Sequence, residues 1–247
     1  MSASGRIGLL GGMFDPIHCG HLDLGAAAQR ALGLTEVHVI PANLPPHREQ
    51  PCASSHHRFA MVAMAVAGRG GWRADDMELR EPGPSYTSGT LRRFQADGWR
   101  PADLFFIAGA DAFLDIATWH DYPAVLDLAH FAVVARAGVR ADEVPAKLPG
   151  LEARMITLAD SVNTAGGSPV FSARAHTLIF LIEAKTADVS STAIRRARLA
   201  HRSIAGLVPS SVQQHIEQHG LYEDPRPAAG GPADTGTAPA SRLHGQD

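Results

Sequence analysis

Length, composition and charge limit the classes to which this chain can belong. Its 247 residues contain 22 Lys and Arg against 25 Asp and Glu, and the formal net charge of -3 excludes a general attraction to nucleic acid or to an anionic membrane. The first residues lead into an apolar strand rather than an export signal, and no run has the length of a membrane span. Two cysteines, Cys19 and Cys52, are too few for a disulfide framework, so we expect a reducing cytoplasm.

Strand-like and helix-like segments alternate along the first half of the chain. Short apolar runs predict buried parallel strands, and apolar residues at helical spacing predict helices. On these patterns we predict, in order, a strand at 7–10, a helix at 22–32, a strand at 37–40, a helix at 54–67, a strand at 72–79, a helix at 87–95 and a strand at 104–107.

The second half continues this alternation less regularly. The patterns predict short helices at 111–117 and 122–128, strands at 131–135, 155–158 and 178–182, and helices at 191–199 and 210–219, while the stretch 137–175 is mostly loop-like. Strands and helices in series imply right-handed crossovers, so we predict one α/β domain at 1–222 with a doubly wound, Rossmann-like parallel sheet. The remaining residues, 223–247, are rich in Pro, Ala, Gly, Ser and Thr and predict a disordered tail.

The most informative segment joins the first strand to the first helix. It reads Gly11-Gly12-Met13-Phe14-Asp15-Pro16-Ile17-His18-Cys19-Gly20-His21. The glycine pair lets the backbone turn tightly and approach a ligand closely. The helix then begins near the histidines, where N–H groups and the positive end of the helix dipole favour an anion. His18 and His21 share one face of the first turn and can both donate to phosphate oxygens, so the segment predicts a phosphate site.

Plainer interpretations of the same segment stay open. A glycine pair after a strand is usually only a turn, and a histidine near a helix start is more often a cap or a surface residue. His18, Cys19 and His21 are also metal-ligand types, but neighbouring positions point in different directions and no further ligand cluster near them in the sequence completes a tetrahedral site. We therefore predict no metal ligands in the protein.

Four further motifs follow predicted strands or open predicted helices. They are Pro45-Pro46-His47-Arg48, Ser85-Tyr86-Thr87, Gly109-Ala110-Asp111 with Trp119, and Ser190-Ser191-Thr192-Ala193-Ile194-Arg195. Each alone has an ordinary explanation: a solvated loop, a helix cap, a turn with a core tryptophan, and an N-cap with an exposed arginine. Because the carboxyl ends of parallel strands share one edge of the sheet, we expect these motifs to meet there.

The first segment resembles the signature of the nucleotidyltransferase superfamily of adenylyl and cytidylyl transferases, whose paired histidines hold the triphosphate of a bound nucleotide. Together with the other motifs, residues 6–222 resemble the bacterial nicotinate-nucleotide adenylyltransferases. Two departures are visible, since Met13 stands where Thr is common and Arg48 stands where Lys is usual. The first is a turn position and the second keeps the charge, so neither argues against activity.

The resemblance implies transfer of an adenylyl group from ATP to nicotinate mononucleotide in NAD biosynthesis, with Mg²⁺ held mainly by the ATP phosphates. It implies catalytic roles for His18, His21 and Arg195. The ATP-binding positions that it implies are Gly11, Gly12, Met13, Phe14, His18, His21, Gly109, Asp111, Ser191, Thr192 and Arg195. The mononucleotide-binding positions that it implies are His47, Arg48, Tyr86, Thr87, Asp111 and Trp119.

Other functions share parts of this signature. A pantetheine-phosphate adenylyltransferase has the first motif and the late Ser-Ser-Thr helix, but that family is shorter and lacks the Ser-Tyr-Thr motif and the distant Trp. A class I aminoacyl-tRNA synthetase shares His-x-Gly-His, yet this chain has no anticodon-binding region or basic face. A non-catalytic nucleotide sensor is a further alternative, against which the intact His18, His21 and Arg195 argue. The predicted partners are thus ATP and nicotinate mononucleotide, without nucleic acid or membrane, and the oligomeric state stays open, a homo-oligomer included.

Overall fold

The structure is a computed structural model that describes residues 5–44, 50–135, 138, 140–158 and 176–223. In these residues the strands are β1 (Ile7–Gly12), β2 (Glu36–Pro41), β3 (Trp72–Ala74), β4 (Leu104–Gly109), β5 (His130–Val134), β6 (Met155–Leu158) and β7 (Ile179–Ile182). The α-helices are α1 (Cys19–Leu32), α2 (Ser55–Val66), α3 (Thr87–Ala96), α4 (Ala110–Phe113), α5 (Val144–Lys147), α6 (Ser191–Leu199) and α7 (Ser210–Gln218).

One parallel sheet organises these elements. Its seven strands lie in the order β3-β2-β1-β4-β5-β7-β6, and every neighbouring pair is parallel. The chain runs outward from β1 to β3 and then returns to β4, so the strand order reverses between β1 and β4. This arrangement confirms the predicted doubly wound, Rossmann-like fold, and a ligand site is expected at that reversal, outside the carboxyl ends of the strands.

The two faces of the sheet bury separate apolar cores. In β1, Leu9 and Leu10 are both buried, and they belong to different hydrophobic clusters because successive side chains point to opposite faces. The cluster around Leu10 includes the apolar faces of α1, α2, α6 and α7, while the cluster around Leu9 includes α3 and α4. Helices on both faces explain why the strands β1, β4 and β7 contain only apolar residues and glycine.

Most predicted elements are confirmed, with small differences at their ends. The strand predicted at 155–158 and the helix predicted at 191–199 are observed with those bounds. The helix predicted at 22–32 begins earlier, at Cys19, with His18 as its N-cap residue. This start agrees with the prediction that the helix begins near the two histidines, and His21 lies in its first turn.

Three predicted elements were wrong in extent. The strand predicted at 72–79 ends at Ala74, because the Asp75 carboxylate accepts a hydrogen bond from the N–H of Met77 at 3.0 Å and so forms a turn. In place of the helix predicted at 111–117 the chain forms α4 and then a 3-10 turn at Ile116–Thr118, and in place of the helix predicted at 122–128 it forms only a 3-10 helix at Ala124–Asp127.

Several predictions lie outside the described residues. These are the loop that carries His47 and Arg48, residues 137, 139 and 159–175 of the loop-like stretch, and the tail from residue 224 onward. Among the described helices, none is long and apolar enough to cross a membrane.

Candidate active site

The turn after β1 is shaped by close packing. Phe14 is 1% exposed and adopts a positive φ of 48°. A Cβ at Gly12 would lie 3.0 Å from the Phe14 ring, and a Cβ at Gly11 would lie 3.3 Å from the Phe106 ring. The two glycines therefore leave room for aromatic rings against the end of the strand. Both glycines are the last residues of β1, paired with β2, and neither has a positive φ, so the tight turn predicted at the glycine pair begins only after it, at Met13.

The Asp15 carboxylate holds this turn to two distant parts of the chain. One oxygen accepts from the N–H of Cys52 at 2.7 Å, and the other accepts from the N–H of Ala53 at 3.0 Å and from the Tyr222 hydroxyl at 2.8 Å. Burial, with the negative charge of Asp15 beside it, raises the pKa of Tyr222 above its ordinary value. The phenol therefore stays protonated and donates to the carboxylate.

Arg58 connects the turn after β1 to the end of β2. Its guanidinium is 1% exposed and donates to three backbone carbonyls, those of Met13 at 2.9 Å, Ala42 at 2.6 Å and Asn43 at 3.3 Å. Burial lowers the pKa of Arg58, while the nearby charge of Asp15 acts in the opposite direction. A rigid fork of donors suits this role because one side chain satisfies acceptors from two loops.

The two motif histidines stack on one another at the start of α1. Their ring centroids are 3.7 Å apart and their planes differ by 25°. The backbone N–H of His18 donates to Nδ1 of His21 at 3.3 Å, so the neutral His21 ring carries its proton on Nε2. The edge of Phe14 packs against His21 at a centroid distance of 5.0 Å. The structure thus brings both predicted catalytic imidazoles directly beside the turn.

Gly20 completes the His-x-Gly-His motif for a steric reason. A Cβ at this position would lie 2.9 Å from the backbone oxygen of Ala187. The N–H of Ala187 also donates to the Asp23 carboxylate at 2.8 Å, which fixes the segment before α6 against α1. Only glycine permits this approach, and the approach brings the start of α6 to the start of α1.

The first turn of α6 lies on the same loop. The Ser191 hydroxyl donates to the carbonyl of Pro16 at 2.9 Å. Arg195 donates through Nη1 to the carbonyl of Asp15 at 2.8 Å and through Nη2 to the Thr192 hydroxyl at 3.3 Å. Ser190 caps the helix by accepting from the N–H of residue 193 at 3.1 Å. Two helix N-termini, of α1 and α6, therefore meet around one turn, and both favour an anion.

The residues predicted for the mononucleotide lie on α3 and in the segment after α4. Tyr86 is the N-cap residue of α3, directly before Thr87. Its ring stacks on His120 at 4.2 Å, and the Ser88 hydroxyl lies 3.3 Å from Nδ1 of His120. Trp119 is therefore adjacent in sequence to a residue that contacts Tyr86. The start of α3 and the segment after α4 are therefore in contact with each other.

Trp119 packs against the core of the protein and is also a predicted ligand-binding residue. It is half-buried, and its ring packs edge-on against Phe106 of β4 at a centroid distance of 5.8 Å. Gly109 ends β4 and Asp111 lies in the first turn of α4, where it is exposed. Since β4 is the parallel neighbour of β1, both residues follow the edge of the sheet that carries the phosphate motif.

Sequence analysis missed three residues of this site. Tyr222 and His120 gave no local signal, because their partners are distant in the chain. Arg58 did give one, since the buried positions of α2 are 58, 61, 62, 65 and 66, and a charged residue occupies the first place of that apolar stripe. A buried arginine needs several acceptors, and the loops after two strands supply them.

The fold and the donor-rich site define a nucleotide-binding α/β protein. Two imidazoles, one guanidinium, two hydroxyl side chains and two helix N-termini surround the turn after β1 at the reversal of strand order. Comparison with known proteins agrees with this class. Residues 9–197 match the model of the cytidylyltransferase-like family.

Individual relatives define the group more closely. A probable nicotinate-nucleotide adenylyltransferase of Desulfatibacillum aliphaticivorans is 40% identical over 226 residues, which cover 88% of this chain and 99% of the relative. One from Pectobacterium atrosepticum is 37% identical over 86% of this chain and 96% of the relative. The chain belongs to the cytidylyltransferase-like family and, within it, to the nicotinate-nucleotide adenylyltransferases.

The fold is also that of a solved structure. Nicotinic acid mononucleotide adenylyltransferase of Plasmodium falciparum, complexed with NaAD, has a TM-score of 0.64. The match covers 89% of this chain and 98% of that one at 16% sequence identity. This similarity extends the agreement to the whole architecture.

Proposed function

We propose that this chain transfers the adenylyl group of ATP to nicotinate mononucleotide and forms nicotinate adenine dinucleotide and pyrophosphate. The observation that carries the proposal is the convergence of His18, His21 and Arg195 on the turn after β1, between the N-termini of α1 and α6. These groups are placed to stabilise negative charge on phosphoryl oxygens.

The reaction needs positioning more than proton transfer. A phosphate oxygen of the mononucleotide attacks the α-phosphorus of ATP in line with the bond to the β-phosphate, that bond breaks, and pyrophosphate leaves with its electron pair. A phosphate monoester is already largely dianionic near neutral pH, so it needs no general base. His18, His21 and Arg195 then stabilise the charge on the transferring group, and Ser191 and Thr192 add hydroxyl donors.

Nicotinate mononucleotide is proposed to bind to residues on α3 and in the segment after α4. Trp119 offers a flat face for the pyridine ring, and Tyr86 and Thr87 contribute polar groups at the start of α3. Gly109 and Asp111 are assigned to the ribose region by the resemblance. His47 and Arg48 are assigned to acceptor binding on the same ground, and both lie outside the described residues.

Mg²⁺ is proposed to enter with ATP, bound mainly to its phosphates. The Asp15 carboxylate already accepts three hydrogen bonds, and the other side chains that meet at the turn are cations and donors. Within the described residues, the only group of three or more metal-ligand side chains consists of one histidine on α2, one on α7 and the histidine directly after α7, and it includes none of the proposed catalytic residues. Cations and hydrogen-bond donors around the turn suit a Mg²⁺ ion that is bound by the ATP phosphates rather than by protein side chains. When bound, Mg²⁺ would neutralise charge on the phosphates.

A cytoplasmic location is proposed from the state of the two cysteines. Cys19 and Cys52 are both unbridged thiols, as a reducing compartment predicts. The slightly acidic overall charge supports the absence of nucleic-acid partners.

Pyrophosphate release with different acceptors tests the function. Purified chain with Mg-ATP is assayed with nicotinate mononucleotide, nicotinamide mononucleotide, phosphopantetheine or no acceptor, and the dinucleotide product is identified by mass. We expect turnover with nicotinate mononucleotide, lowered by about 10²-fold to 10³-fold in His21→Ala and kept in His56→Ala, which changes an exposed histidine of α2. Turnover only with phosphopantetheine would favour the pantetheine enzyme, and ATP binding without any turnover would favour a sensor.

A further inference from the structure

Three imidazoles meet where α2 packs against α7. His57 lies in the first turn of α2, His215 lies in α7, and His219 follows one helical turn later. Their nitrogen ligand atoms all lie within 4.8 Å of one another, and Nδ1 of His57 is 3.1 Å from Nε2 of His215. The ring of His219 lies 4.9 Å from that of His57 and 4.4 Å from that of His215.

This spacing suits a metal ion. Tetrahedral Zn²⁺ with Zn–N distances of about 2.0–2.1 Å places its nitrogen ligands about 3.3 Å apart, so the observed separations require only small movements of the rings. Histidines four apart on one helix commonly ligate one ion, and three imidazoles leave a fourth position for water.

We propose that His57, His215 and His219 bind a divalent transition-metal ion of the Zn²⁺ class and that the ion links α2 to α7. Imidazole ligands favour Zn²⁺, Ni²⁺, Co²⁺ and Cu²⁺ over Mg²⁺, so this site is distinct in chemistry from the Mg-ATP site.

The location gives the ion a mechanical role. Residue 58 follows His57 directly, and its guanidinium holds the turn after β1. The chain after His219 leads within three residues to Tyr222, which donates to Asp15 in the same turn. A bound ion would therefore hold α2 and the end of α7 together, and the residues next to them in sequence, Arg58 and Tyr222, support the turn after β1. It would stabilise the folded state because the unfolded chain does not hold the three rings in place.

Titration of the untagged chain with Zn²⁺ tests the proposal, after treatment with a chelator and removal of the chelator, and without ATP. Isothermal calorimetry is expected to show one ion per chain. At an ion concentration a hundred times the Kd, the Tm is expected to rise by about 5–10 °C. With Co²⁺ as the probe, we expect the intense visible absorption of a nitrogen-ligated, tetrahedral ion. Absence of both Zn²⁺ binding and this absorption in the wild-type chain would overturn the proposal.

Single variants locate the site. His219→Ala, which changes an exposed side chain, and His57→Ala, on the other helix, should each weaken Zn²⁺ binding by at least about 100-fold. His56→Ala, on the neighbouring exposed position of α2, should bind as the wild type does. Circular dichroism checks that each variant is folded. If Zn²⁺ binding persists in His57→Ala and His219→Ala and disappears in His21→Ala, the ion binds at the phosphate motif and the proposal is wrong.

Discussion

Replacing Asp15 by Asn should destabilise the protein through the turn that supports its phosphate site. One carboxylate oxygen accepts from Cys52, and the other accepts from Ala53 and Tyr222. An amide has only one acceptor oxygen, so its NH₂ group must face at least one of these donors. In the better orientation the oxygen keeps Ala53 and Tyr222, and the NH₂ opposes the N–H of Cys52.

The expected cost follows from these contacts. Losing one hydrogen bond to a charged group costs about 1.5–3 kcal/mol, and neutralising the acceptor weakens the other two, so we expect about 3 kcal/mol in the free energy of unfolding. For a domain of this size that corresponds to a fall in Tm of about 6–12 °C. The guanidinium of Arg195 donates to the same residue's carbonyl at 2.8 Å, so movement of the turn should also lower kcat/KM by about 10-fold to 100-fold.

Thermal denaturation at pH 7.5 and initial rates at 20 °C measure the two effects. The matched control is Asp142→Asn, whose side chain is 59% exposed and pairs only with Arg140 among the described contacts. Loss of that surface pair should change stability by less than about 0.5 kcal/mol. An Asp15→Asn variant that melts within about 2 °C of the wild type would refute the assignment of the carboxylate as the anchor of the turn.

Three further outcomes are expected. His21→Ala should lower kcat by about 10²-fold to 10³-fold with an unchanged far-ultraviolet spectrum, because it removes one preorganised donor; near-normal turnover of the folded variant would contradict the phosphate-site assignment. Trp119→Ala should raise the KM for nicotinate mononucleotide more than the KM for ATP, measured with the second substrate saturating, and an equal rise in both would argue against stacking on the pyridine ring. Burial lowers the pKa of His130 from 6.5 to about 4. Between these two pH values the unfolded chain binds a proton at this residue that the folded chain does not bind. The free energy of unfolding should therefore fall by about 3 kcal/mol as the pH drops from 6.5 to 4. Denaturant titrations across this range should show a shallower fall in His130→Asn, which keeps an acceptor for the N–H of Leu178, than in the wild type or in His56→Asn; identical slopes would show that His130 does not contribute.

Local patterns in the sequence determined the fold class and the position of the phosphate motif. The phosphate motif is one short stretch of sequence. It contains the apolar run before Gly11, the glycine pair and the histidines near the start of α1. Their conformations depend on neighbouring residues, through backbone sterics, hydrogen bonding within the helix and the helix dipole. The helix at 191–199 was predictable for the same reason, because Ser190 is both a local sequence signal and the observed cap.

Only the tertiary structure decided which distant groups support that motif. Tyr222 reaches Asp15 across 207 positions, and His57 meets His215 across 158, so no local spacing encodes either contact. The charged Arg58 lies on an apolar helix face, and its purpose becomes clear only when the carbonyls of two loops are placed around it. Sequence patterns state which face of an element is buried, but packing of the completed sheet selects the partner that the face meets, and those partners fix the geometry of the site.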